Sequence, residues 1–75
     1  MTNNEDRWKF IENEVKQVRK DYTDWRLGQA YFNVLYKFHT IIANKIRSTE
    51  YDCFYVDDKI EAFKERVFEL WENDE

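Results

Sequence analysis

The sequence predicts an all-α protein: a compact bundle of three long helices plus one short helix, closed by an ordered aromatic loop. Three observations carry that expectation. There is no proline and only one glycine among 75 residues, so the punctuation of a hairpin-rich β fold is missing. Apolar residues recur at spacings of three and four in three separate segments, the period of a helix with one buried face. No stretch alternates apolar and polar residues over the length of a strand. Residues 1–75 read as a single helical domain.

The first helix is expected from about Asn4 to Lys20, burying Trp8, Ile11, Val15, Val18 and Tyr22. Thr2 with Glu5 has capping-box spacing. A short turn at 21–23 makes the second helix an antiparallel neighbour or a steeply crossing one. That second helix is expected from near Asp24 to His39, with Asp21 or Thr23 as cap. It is apolar almost all the way round. Leu27, Tyr31, Val34, Leu35 and Phe38 form one stripe, and Trp25, Phe32 and Tyr36 form another. Such a helix belongs in the middle of a bundle, here between the first and last helices. So short a chain has little interior to surround it, so part of its second face is left for another chain to complete, either a second copy in a homo-oligomer such as a homodimer or a foreign partner.

Thr40 is expected to cap a short third helix over 41–47, with Ile42 and Ile46 inward. Ser48–Val56, STEYDCFYV, reads as an ordered loop folded over the core, because it places Tyr51, Phe54 and Tyr55 within five residues. The last helix begins at Asp57 or Asp58, where Asp58 and Glu61 have capping-box spacing. Ile60, Phe63, Val67, Leu70 and Trp71 form its inner stripe, and the tail 72–75 is expected to fray.

A domain of this size buries only about 60% of the surface its unfolded chain exposes. Small chains often add a disulfide or a metal. Cys53 and His39 are the only residues of their types, which excludes an intramolecular disulfide and leaves at most half of a zinc site. No metal and no cofactor is expected. A free thiol and the lack of a signal peptide point to a reducing, cytoplasmic setting, with Cys53 acting as a small semi-buried hydrophobe. Compensation comes from six Phe, five Tyr and three Trp, each able to bury roughly 150–250 Å². No run approaches the ~18 apolar residues of a membrane span.

The net charge of −4 is uneven. Residues 1–47 carry nine Lys/Arg and six Asp/Glu, whereas residues 48–75 carry three and ten. A +3 half and a −7 half suit packing on each other, and the acidic total argues against direct nucleic-acid binding.

Three surface features are candidates for function. An acidic ridge of Asp58, Glu61, Glu65, Glu69 and Glu72 falls on one face of the last helix, where like charges cost roughly 0.2–0.5 kcal/mol per pair. It would meet a basic partner or imitate a phosphate backbone; the plainer reading is a solvated face. An aromatic ledge of Trp25, Phe32 and Tyr36, joined by Phe54 and Tyr55 if the loop folds back, offers binding anchors of large area. Its plainer reading is packing under the loop. A polar sector of Arg26, Gln29 and Asn33, with Arg47 and Asp52 nearby, could hold a phosphate or carboxylate. Equally, Arg26 or Arg47 could pair with Asp52 to pin the loop.

Catalytic readings fail. His39 has no nucleophile motif, Gly28 alone cannot build a phosphate loop, and Asp52, Asp57 and Asp58 lack calcium-loop spacing. A helix-turn-helix from the second and third helices would read DNA with only Asn44, Lys45 and Arg47, in a chain of the wrong overall charge.

Residues 25–55 resemble a family of small uncharacterised helical proteins encoded by phages and prophages, with a pattern like RxGQxxFNxL, then IRGT, then DPFY. Arg26, Gly28, Gln29, Phe32, Asn33 and Leu35 match its first part. Ile46, Arg47, Thr49, Asp52, Phe54 and Tyr55 match the rest, while Ser48 and Cys53 replace its glycine and proline. The resemblance assigns no chemistry. It implies a phage accessory protein, a kind that often binds and blocks a host protein. The resulting expectation is a non-enzymatic protein-interaction module, a phage-type inhibitor of a host or defence protein with a basic or apolar surface. Trp25, Phe32, Tyr36, Phe54 and Tyr55 would be its anchors, and the ridge would steer the partner. Two alternatives stand beside it. One is a small homo-oligomer binding a nucleotide or other anionic small molecule through Arg26, Gln29, Asn33 and Arg47. The other is an acidic phosphate-backbone mimic that blocks a nucleic-acid-binding protein.

Overall fold

Aromatic rings at both ends of the first two helices set the geometry of the bundle. The computed structural model describes residues 4–74. Helices α1 (Asn4–Asp21), α2 (Leu27–Phe38), α3 (Thr40–Ile46) and α4 (Ile60–Asp74) follow one another, with a single 3-10 turn at Asp57–Lys59 leading into α4. No strand occurs among the described residues, so the chain is an all-α bundle. Helices α1 and α2 run antiparallel. Tyr22 stacks on Trp25 at 4.5 Å beside the turn, and Phe10 meets Phe38 edge-on at 5.0 Å towards the other end.

The core is the one the periodicity marks. Trp8, Ile11 and Val15 of α1, Ile42 and Ile46 of α3, and Phe63, Val67, Leu70 and Trp71 of α4 are buried around Phe32, Val34 and Leu35 of α2. Helix α2 lies alongside α1 and α3, not between α1 and the last helix as expected, because α3 takes the place beside it; it reaches α4 through Phe32 and Phe63 at 6.4 Å. Trp8 joins three helices. It stacks on Tyr31 at 5.3 Å and meets Phe63 and Phe68, each at 6.1 Å. The Lys64 ammonium lies 5.8 Å from its ring. One polar atom in this core is left over: the Trp71 Nε1–H is buried without an acceptor among the described residues.

Several expectations are corrected. Helix α2 starts at Leu27, three residues late. Tyr22 and Trp25 are drawn into their stack in the 22–26 turn, and Asp21 ends α1 without capping α2. Tyr22 is exposed and Val18 only half-buried, because α1 ends before its inner stripe is complete. Phe38 is 39% exposed, since it stands in the last turn of α2 at the corner with α3. Thr40 does not cap α3: it is the first residue of that helix, and its hydroxyl donates 2.7 Å back to the Tyr36 carbonyl in the last turn of α2. Asp58 makes no capping bond among the described residues. The tail does not fray at 72; α4 runs to Asp74. Asn4 Nδ2 donates to Glu72 Oε2 at 3.0 Å and ties the start of α1 to the end of α4. The Thr2 cap lies outside the described residues.

The radius of gyration is 11.6 Å, against about 11 Å for a compact chain of this length. The chain is about as compact as its length predicts, while Phe10, Phe38 and Ile41 stay exposed. No helix among the described residues is long and apolar enough to cross a membrane.

Candidate functional site

The loop 48–56 is latched onto the first turn of α2, and the latch shapes the site. Helix α2 begins with orphan N–H groups. Gln29 Oε1 accepts the Arg26 N–H at 3.4 Å. The Gly28 N–H donates 3.0 Å to Asp57 Oδ1, a carboxylate 29 residues away. The Cys53 thiol donates to the Gly28 carbonyl at 3.3 Å, and Arg26 Nη2 donates to the Phe54 carbonyl at 3.2 Å. Gly28 permits this approach, because a Cβ there would stand 2.1 Å from the Cys53 carbonyl oxygen.

The loop is also braced internally. Asp52 Oδ2 accepts the Ser48 N–H at 2.8 Å, and Oδ1 accepts the Phe54 N–H at 2.9 Å. Ser48 holds φ at 63°, a conformation that favours glycine. The Asp52 brace fixes it there.

Cys53 is fully buried. Burial, first, and then the Asp52 charge push its thiol from an ordinary 9.0 up to about 12. The thiolate is thus disfavoured in the folded state. The thiol's contribution to stability is complete below pH about 9 and is lost as the pH rises from there towards 12. We expect Cys53 to resist a thiol reagent at pH 8 in the folded protein and to react within seconds in denaturant. Fast labelling without denaturant would disprove its burial.

Between loop and helix lies a half-open groove of about 470 Å³, lined by Phe32, Asn33, Tyr36, Arg47, Ser48, Asp52, Phe54 and Tyr55. Phe54 meets Phe32 edge-on at 6.0 Å and covers that one ring of the second apolar stripe. Phe32 is consequently only 3% exposed, a floor residue and not a free anchor. Tyr36 is 38% exposed and Tyr55 76%. The Arg47 guanidinium lies over the rings of Tyr36 at 5.1 Å and Phe32 at 5.8 Å.

The structure thus merges two of the sequence candidates and divides them differently. Four of the five aromatic anchors line the groove; Trp25 does not, being half-buried against Tyr22. Of the polar sector, Asn33 and Arg47 line it, while Arg26 and Gln29 are engaged in the latch and the helix start. Asp52 is satisfied by backbone N–H groups, not by an arginine. The acidic ridge stays apart. Asp58, Glu61, Glu65, Glu69 and Glu72 are all exposed, none lines the groove, and Glu69 pairs with Arg66 at 3.5 Å. Ser48 as a lining residue was missed, because its place beside the groove depends on a left-handed turn that a serine does not announce. Phe38 and Ile41 were also missed as surface residues. They line a shallower hollow of about 270 Å³, with Ile41 73% exposed.

Among the described residues no group of three or more His, Cys, Asp or Glu could hold a metal. Comparison with protein-family models, curated proteins and solved structures finds no match to this chain.

Proposed function

We propose that the chain is a non-enzymatic protein-interaction module that engages its partner through the groove between α2 and the 48–56 loop. One observation carries the reading. Tyr36 and Tyr55 stand exposed on a braced frame, and Arg47 lies beside them; Tyr and Arg are residue types that dominate binding energies at protein interfaces. A rigid rim lowers the ordering cost of binding. The resemblance to phage proteins supports the narrower role of an inhibitor that binds and blocks a host or defence protein. In that role the exposed ridge on α4 steers a basic surface of the partner.

The nucleotide reading is weaker, because two of its four residues hold the fold together. Phe32 is covered within the single chain, while Tyr36 of the same stripe is 38% exposed, so a homodimer through that side stands as an alternative.

The test is site-specific photo-crosslinking inside a bacterial host. A photoreactive residue replacing Tyr55 is expected to give a discrete covalent adduct, and one replacing Lys16 on the outer face of α1 is not. Tyr55→Ala should change stability by no more than about 0.5 kcal/mol and abolish an adduct formed from position 36. Equal labelling from both faces, or none from the groove, would reject the reading.

A further inference from the structure

The groove has an apolar floor and a cation at its side, and these together define what fits it. We propose that it takes a partner segment in which a carboxylate side chain neighbours an apolar one, with Arg47 reading the carboxylate; this rests on the interaction reading above.

Arg47 is held by ring faces, over Tyr36 and Phe32. A stacked guanidinium keeps its in-plane N–H groups free, and that fork matches a carboxylate in a bidentate pair. Among the described residues no carboxylate lies within ion-pair distance of Arg47. Asp52, the acid of the same groove, has both oxygens engaged by the N–H groups of Ser48 and Phe54. The cation is therefore oriented and unmatched, while Phe54 and Tyr55 offer apolar surface next to it.

The charge count decides between anions. Among the described residues Arg47 is the one cation lining the groove, Asp52 opposes it, and Arg26 is engaged by the Phe54 carbonyl. One positive charge beside one negative charge suits a single carboxylate. It does not suit a nucleotide's phosphates, which call for several cations. A volume of about 470 Å³ lies in the range of about 300–1,000 Å³ that accommodates small ligands, enough for an apolar side chain and its acidic neighbour. Asn33, on the α2 wall, supplies a donor and an acceptor for the segment's backbone.

A random peptide library selected against the full chain tests this, followed by titration of synthetic peptides into the wild type and two variants. Selected peptides should place Asp or Glu within two positions of Leu, Phe or Trp. Changing that Asp to Asn should weaken binding about tenfold or more. Arg47→Gln should erase the Asp-over-Asn preference, and Arg47→Lys should recover only part of it, both with unchanged circular dichroism. Groove-binding peptides without an acid, indifferent to Arg47→Gln, would overturn the inference and leave the interaction reading standing. Displacement by millimolar ATP or inorganic phosphate would overturn it in favour of a phosphate site. Recovery of no peptide sensitive to Tyr55→Ala would overturn both.

Discussion

Gly28→Ala is expected to destabilise the protein by about 3 kcal/mol, a fall of roughly 12–24 °C in melting temperature for a domain of this size. The sign is informative. Within a helix, Gly→Ala ordinarily stabilises by roughly 0.5–1 kcal/mol. Here the new methyl would stand 2.1 Å from the Cys53 carbonyl oxygen and 3.0 Å from Asp57 Oδ1. The nearest atom is backbone, so no rotamer change relieves the clash. The loop has to lift, breaking the Cys53 and Asp57 bonds to residue 28 together. Thermal and urea unfolding followed by circular dichroism would measure the loss. A neutral or raised melting temperature would show that the loop does not pack as described.

Trp8→Ala is expected to cost about 3–5 kcal/mol. A domain of this length has a total stability of only some 4–11 kcal/mol, so the variant should lose from about a quarter to all of it. Trp8 is 3% exposed and its ring holds Tyr31, Phe63 and Phe68 at once. Its removal leaves a cavity bordered by three helices, none of which can collapse without displacing the others. Trp8→Phe should retain a cooperative transition, since an aromatic surface remains. A Trp8→Ala transition displaced by less than about 1 kcal/mol would mean the three helices do not meet at this ring.

Much of this architecture was legible in the chain because it depends on spacing alone. Trp8, Ile11 and Val15, or Phe63, Val67, Leu70 and Trp71, share a face whatever surrounds them. The start of α2 was not legible. Its first turn is capped by Asp57, 29 residues away, and local sequence cannot show a remote cap. Asp58 looked like the capping residue of the last helix, yet its neighbour Asp57 does the capping, and for a different helix. The aromatic residues of the site were visible as an excess of rings over interior. How they divide was not: the roofing of Phe32 by Phe54 and the outward setting of Tyr36 depend on where the loop comes to rest. Arg26 and Arg47 looked equivalent as cations, and only the fold separates the one that holds the Phe54 carbonyl from the one that rests on Tyr36.

The latch has a consequence for how this protein can change over generations. It is built from the backbone groups of Gly28, Phe54 and Ser48, with side chains only from Arg26, Cys53, Asp52 and Asp57. The outward rings of Tyr36 and Tyr55 carry none of it. Substitutions at those rims can change the surface they present with little penalty to folding, as in an antibody loop on a fixed framework. A lineage facing a shifting target could therefore vary its contact chemistry freely, provided that it kept the glycine and the aspartates beneath.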